Sequence, residues 1–437
     1  MNIQLQIPSI ILFLLLALPF SAPAKDSQET NPALSLEQAV LIALKNNPAL
    51  HQQINTVKSA EVIVSQRQAD FYPDLSLKTT GSEDLDMNVE LSSSVNLFRG
   101  FADTAALQNS ELLVKAEQEN LSREEQTLMF ETVSLFIEVL TNQEFIGARE
   151  MNLEENKKLL GKIRAFHEAG KLPVSDLYQQ QAETKQAEQD LLEAQHNLTS
   201  SKLTLMQTMG MVPTDRYTPA LPELTKLSLE LPDEEIDRLT RLALENRSDI
   251  KARKHQVDAA EQQIREAKAG KYPTVDLVAA MATDYSGYWD DFMDENLGST
   301  VGVTVSLPLF DRFETRNNTV LAQIEKRNEK LTLQEKELQI GLEVAQAVQD
   351  LKQARQKIDV VESKLTYAKR ALESYEERYR VGASTLVELI QTRTQYITAI
   401  FDQVEAKYDL VTREMTVAYS LGELGRMLAT LLPEEIK

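Results

Sequence analysis

The chain has no cysteine among its 437 residues. That excludes disulfides, thiolate metal sites, a cysteine nucleophile and an N-terminal lipidated cysteine. Histidine is scarce: His51, His167, His196 and His255 stand apart, without ligand-like spacing, and each reads as a surface side chain rather than a metal ligand. There is no glycine-rich phosphate loop and no nucleophile motif, so neither catalysis nor a bound cofactor or metal is expected. Basic residues are in deficit, 46 Lys and Arg against 67 Asp and Glu, for a net charge of -21. That balance argues against nucleic acid and suits a water-filled lumen that prefers cations. Glycine and proline number 14 each and aromatics make up 6%, while Gln, Glu, Leu, Ala and Lys dominate the middle of each half, the vocabulary of coiled coils.

Long apolar runs are also missing, with one exception. Ile10 to Leu18 is uninterrupted, the length of a signal-peptide core, and Ala22-Pro23-Ala24 places small residues where a signal peptidase reads. Cleavage after Ala24 is expected, although no Lys or Arg precedes Lys25. The run is too short to span about 30 Å of hydrocarbon. If the mature chain enters a membrane, it does so as strands.

What is present is a repeat. Ala43-Leu44-Lys45-Asn46 returns as Ala243-Leu244-Glu245-Asn246 and Tyr72-Pro73 as Tyr272-Pro273, displaced by 200. Leu97-Phe98 returns as Leu309-Phe310, Gly170 as Gly382 and Gly210 as Gly422, displaced by 212. One insertion of about a dozen residues reconciles the landmarks, so the chain is a tandem duplication. The division expected is a leader at 1–24, a first repeat at 25–213, a connector at 214–231 marked by Pro213, Pro219 and Pro222, a second repeat from Pro232 to 425, and a tail at 426–437.

Each repeat predicts the same elements. Ser35 caps a short helix that Asn46-Asn47-Pro48 breaks, and a second helix runs to about Phe71; Pro232 opens the matching short helix, followed by one from about Ser248 to Gly270. Tyr72-Pro73 and Tyr272-Pro273 end the second helices, because proline disfavours helical geometry in the residue before it. Four strands follow, Leu75 to Gly81, Met87 to Leu97, Val275 to Asp284 and Val301 to Leu309. Val89, Leu91, Val95 and Leu97 alternate with Glu90, Ser92, Ser94 and Asn96, with Ser93 the misfit. Such alternation over about ten residues is the pattern of a transmembrane barrel, and equally of a soluble half-buried sheet. The first hairpin turns at Ser82-Glu83-Asp84; the second spans Tyr285 to Gly298 and holds Trp289, as at a membrane interface or in an ordinary surface loop. Next come helices from about Phe101 to Phe166 and from Thr315 to Arg380, free of proline and roughly 100 Å long. Leu107, Val114, Leu121, Leu128 and Leu135 recur every seven residues, as do Ile324, Leu331, Leu338 and Ala345, so the helices are expected to pack side by side as a coiled coil. Each turns at a glycine, Gly170 or Gly382.

This order of elements resembles the TolC family of outer-membrane efflux and secretion channels, from about Leu34 to Gly425. The residues that carry the likeness are Ala43 to Pro48, Tyr72-Pro73, Val95-Asn96-Leu97-Phe98, Val305 to Asp311, Tyr379-Arg380-Val381-Gly382 and Leu421-Gly422. The resemblance implies a fold that is mainly α with a small β portion: duplicated helical hairpins forming a periplasmic coiled-coil tunnel, and four transmembrane strands per protomer joined in one trimeric barrel. It implies a passive exit duct for small molecules or unfolded proteins, and as partners a homotrimer, a periplasmic adaptor, an inner-membrane transporter and outer-membrane lipid. Leu97-Phe98-Arg99-Gly100-Phe101 leans toward the secretion-type members. The alternative is a periplasmic coiled-coil adaptor or scaffold without a barrel.

The resemblance also implies where function sits. The adaptor would dock at the tips, on Gly170, Lys171, Leu172, Val381, Gly382 and Ala383. The periplasmic gate would include Tyr379, Asp176, Ser384, Glu388 and Gln391; Ser384 stands where the best-known member has an arginine, and Gln391 where it has a second aspartate. Asp176 and Glu388 lie six residues beyond each tip glycine. In a trimer they would form a cation-attracting ring whose mutual repulsion raises some of the carboxyl pKa values; otherwise they are solvated helix-face charges.

Overall fold

The computed structural model describes residues 33–81, 86–212, 218–219, 235–286 and 297–429. The leader, the tail beyond 429, the turn at Ser82-Glu83-Asp84, the Trp289 loop and most of the connector, including Pro213, Pro222 and Pro232, lie outside the described residues.

A short strand β1 (Ala33–Leu34) pairs with β4 (Thr218–Pro219). Helix α1 (Leu36–Asn46) opens on a capping box, in which Ser35 Oγ accepts from the Gln38 amide and Gln38 returns the bond, satisfying amides that have no partner in the first turn. Asn47 closes α1 and caps α2 (Pro48–Ala69). The second repeat gives α5 (Ile236–Asn246) and α6 (Ser248–Lys268). The long helices α3 (Ala102–Glu168) and α7 (Glu314–Arg380) have 67 residues each, and the returning α4 (Val174–Thr208) and α8 (Leu386–Ser420) have 35 each. At 1.5 Å per residue the long pair are rods of about 100 Å. A final turn, α9 (Leu424–Ala429), docks against α3 and α8.

Four strands form one antiparallel sheet in the order β2 (Ser76–Gly81), β3 (Asp86–Arg99), β5 (Thr274–Ser286) and β6 (Leu297–Ser306). Val95, Leu277 and Val303 lie abreast on one face, and Asn96, Asp276 and Thr304 on the other. The misfit Ser93 faces Ala279 on the apolar side. The last strand ends at Ser306, short of the expected Leu309, because Pro308 has no N–H to continue the ladder. Leu77, Leu91, Val301, Val303 and Val305 are exposed, and β2 and β6 each have one neighbour.

Beside the sheet, α2 and α6 flank α3, and α6 also touches α7; toward the tips, α3 lies between α4 and α8, and α8 between α3 and α7. The core is thickest at the waist, where Phe136, Leu140, Leu205, Met209, Tyr408, Met415 and Leu424 pack under Val40 and Leu50. A smaller cluster joins Leu239, Ile250, Ile340, Val344 and Leu421. The first heptad stripe contributes Leu128 to the larger cluster, with Leu121 and Leu135 packed against it. The second does not pack within the chain. Ile324, Leu331 and Leu338 are exposed, Leu338 at 70%, with Val320, Leu321 and Leu342 beside them; the long helices pack side by side, α3 with α4 and α7 with α8, and this heptad stripe marks an apolar face without naming its partner.

Candidate functional site at the hairpin tips

The two tips are built alike on the backbone. At the first, Gly170 takes φ +70° and Lys171 N–H reaches back to Phe166 O at 2.8 Å; at the second, Gly382 takes φ +77° and Ala383 N–H reaches Arg378 O at 2.8 Å. This 6→1 closure uses the left-handed conformation that only glycine adopts without strain. A Cβ at either glycine would meet nothing within 4 Å, so backbone, not crowding, selects the residue. Val381 is exposed, Lys171 lies 5.9 Å over the Phe166 ring, and His167 Nδ1 is 3.0 Å from Leu172 O.

The side chains differ. Asp176 sits in the first turn of α4, where a carboxylate suits the helix dipole, but α4 has no side-chain cap. On α8, Thr385 and Glu388 form a reciprocal capping box: the Glu388 amide donates to Thr385 Oγ1 at 3.3 Å, and Glu388 Oε2 accepts from Thr385 N–H at 2.9 Å, Ser384 Oγ at 2.9 Å and Thr385 Oγ1 at 3.2 Å. These bonds, the backbone one first, lower the Glu388 pKa. Ser384 and Glu388 are thus joined to each other, while Gln391 is exposed and apart.

Tyr379 and Asp176 are brought together across the hairpins. The tyrosine packs against the cluster of Leu159, Ile163, Leu386 and Leu389, with Leu172 and Leu177 beside it, and its buried hydroxyl has no partner among the described residues. Burial, then the Asp176 charge, raises its pKa. A cleft of about 930 Å³ opens here, lined by Lys162, Phe166, Asp176, Tyr379, Arg380 and Arg393 among others.

Arg393 is the residue the sequence reasoning missed. It follows Leu386 and Leu389 at three- and four-residue steps on the buried face of α8, and its side chain is 12% exposed. Nη2 donates to Glu376 on α7 at 2.8 Å, while Nη1 is buried with no partner among the described residues. A charge at a core position of a heptad was the available signal. Higher in the same seam Arg149 bonds Asp190 at 2.6 Å and stacks on Phe401 at 4.2 Å, and the fully buried Gln180 donates to Asn156 Oδ1 at 2.9 Å.

Comparison with known proteins places this architecture. The family described as outer membrane efflux protein matches residues 40–211 and 239–423. Outer membrane efflux protein BepC of Brucella suis is 24% identical over 92% of this chain and 89% of its own length. Outer membrane protein TolC of Escherichia coli is 23% identical over 95% of the chain and 87% of its own. The crystal structure of the Campylobacter jejuni CmeC outer membrane channel superposes with a TM-score of 0.77 at 16% identity, covering 94% of this chain and 95% of that one.

Proposed function

Because this chain belongs to the outer membrane efflux protein family, we propose that it is the outer-membrane exit duct of a tripartite efflux or type I secretion system. The family is one of channels, not of enzymes. The protein sits in the outer membrane and extends into the periplasm, and in this reading residues 1–24 are its export leader and 25–213 and 232–425 its two repeats. Cargo handed over by an inner-membrane transporter passes through it passively, with a periplasmic adaptor docked on the tips at Gly170, Lys171, Leu172, Val381, Gly382 and Ala383. Asp176, Tyr379, Ser384, Glu388 and Gln391 belong to the constriction at that end.

The observation that carries the reading is the sheet: four strands with an exposed apolar face and two open edges, joined to rods of about 100 Å. An open edge in lipid leaves backbone groups without partners, so the strands must close a barrel with other copies. In a homotrimer, β6 of one protomer meets β2 of the next. The bare α7 stripe at Ile324, Leu331 and Leu338 then covers the opposite margin, where Val62 and Ile63 on α2 and Leu192 on α4 are also exposed. A coiled-coil adaptor without a barrel has no use for such a sheet.

Fractionation tests the duct directly. The protein is expected in outer-membrane fractions, with heat-modifiable migration and a trimeric mass by light scattering in mild detergent. A folded monomer released with periplasmic contents overturns the reading. Gly170→Val and Gly382→Val force a left-handed β-branched residue at the tips, far from the barrel, so trimers are expected to form while export fails; undiminished export moves docking away from the tips.

A further inference from the structure

The chain already contains the contact that its open strand edges require. Where β3 of the first repeat meets β5 of the second, the start of α3 sits against the turn after α6, and the Phe101 ring packs edge-on to Tyr272 at 6.2 Å. Glycine makes the fit possible: Gly100 takes φ +61°, and a Cβ there would lie 2.5 Å from Ala269 O and 2.8 Å from Tyr272 Cβ. The two repeat displacements, 212 for Phe101 and 200 for Tyr272, carry the same joint to the boundary between protomers, with Phe313 on one chain and Tyr72 on the next. Both rings are exposed on the single chain, at 57% and 72%. The glycines do not return. Gly100 becomes Arg312 and Gly270 becomes Asp70, a cation and an anion. Arg312 is exposed, keeps a left-handed backbone at φ +54° that favours glycine, and makes no side-chain hydrogen bond or ion pair among the described residues. The exposed Asp70 carboxylate has one partner among them, Arg67 at 3.6 Å. The other carboxylates of this rim are engaged, Asp74 by Ser94 and Asp311 by the Thr315 amide.

We propose that at each protomer boundary Arg312 forms a salt bridge with Asp70 of the partner subunit, and that this charged clip selects which chains assemble. The inference rests on the reading of the duct as a homotrimer. A guanidinium cannot enter at the spacing Gly100 permits, so the boundary joint is wider than the internal one, and the room between holds the ion pair. One exposed pair contributes little by itself. Three act in every ring, however, and a modest preference at each boundary is multiplied. Selection follows from what a wrong partner leaves behind: a related chain without both charges sets an unpaired arginine or two like charges at the boundary, and like charges across an interface repel.

The absence of cysteine makes the contact directly testable. The full-length chain carrying both Asp70→Cys and Arg312→Cys, treated with a short bismaleimide in outer membranes, is expected to run as a covalent trimer on denaturing gels, while each single variant stays uncrosslinked. For selection, wild-type chains are co-expressed with chains carrying both Asp70→Arg and Arg312→Asp, under different affinity tags. Mixed boundaries then set arginine against arginine or aspartate against aspartate, so mixed trimers are expected at least twofold below the random proportion, with both homotrimers intact. Each single reversal should raise the monomer fraction in mild detergent at least twofold. Arg312→Gly relieves the left-handed backbone and copies the internal joint, yet is expected to weaken the trimer as well; a tighter trimer overturns the clip. Absence of the covalent trimer, or random mixing, also overturns the clip and leaves the duct standing. A wild-type chain that is a folded monomer overturns the duct and the clip with it.

Discussion

The joint between the first two helices of each repeat is made twice, with different chemistry. Asn47 and Arg247 occupy equivalent positions, and each donates to the last carbonyl of its hairpin's returning helix, Asn47 Nδ2 to Thr208 O at 2.8 Å and Arg247 Nη1 to Ser420 O at 3.3 Å. Asn47 also caps α2, its Oδ1 accepting from the Ala49 and Leu50 amides at 2.8 and 3.1 Å. Arginine has no acceptor and cannot cap. Instead its 2% exposed guanidinium forks onto Asp249 at 3.0 and 2.7 Å and reaches Glu343 at 2.6 Å, with Lys336 and Arg123 closing around Asp249. A duplicated backbone thus tolerates either a neutral cap or a buried ion network. The difference is what breaking each one leaves behind: a lost cap exposes amides to water, whereas a lost ion strands its partner.

The largest expected effect follows from that contrast. Asp249→Ala leaves Arg247 and Arg123 short of their acceptor and should cost about 3–5 kcal/mol per protomer, read as a lower midpoint in thermal unfolding followed by circular dichroism. A loss no larger than that of a cap would mean that Arg247 finds Glu343 and water sufficient.

Acid should separate the joints next. Burial alone would raise the Asp249 carboxyl, but Arg247, Arg123 and Lys336 outweigh it and hold it at about 2 against an ordinary 3.8. The folded value is depressed, so this contribution is complete above the unfolded value and fades as pH falls from about 5 toward 2. It amounts to about 2 kcal/mol. The difference between wild-type and Asp249→Asn melting curves should shrink over that window. The Asn47 joint carries no titrating group and should not respond.

Asn47→Ala comes third, removing a cap and a hydrogen bond for about 1–2 kcal/mol, measured in the same thermal assay. An equal loss in Asn47→Asp would locate the effect in the donor to Thr208, since aspartate caps as well as asparagine. The smallest stability change is expected at the tips, where Asp176→Asn and Glu388→Gln keep hydrogen-bonding side chains in place. Their readout is electrical: weaker cation selectivity and weaker block by multivalent cations, most visible at low salt. Unchanged selectivity would make both residues solvated helix-face charges.

The skeleton was legible because it is local. Periods of two and seven, a glycine at each tip and the Tyr-Pro pair after the second helix of each repeat are read within a few residues, and α3 and α7 end within two residues of the expected bounds. The capping box at Thr385-Leu386-Val387-Glu388 was equally local and could have been read, assigning Glu388 a partner from sequence. The rest depends on what lies opposite. Arg247 meets Ser420 across 173 positions, and no periodicity announces that. The α7 stripe shows the same limit, since Leu331 and Leu338 look like core and are bare on the single chain.

The equal lengths of the two long helices bear on how such a duct fits its cell. Both rods have 67 residues and both return helices 35, so the two hairpins match in length arm for arm. A single added residue would rotate everything beyond it by about 100° and spoil the seams on every side. Length is therefore free to change only in whole heptads, inserted in the descending and ascending arms of both hairpins at once, in steps of about 10 Å. The protein behaves as a ruler with coarse graduations, whose reach can be set only in steps.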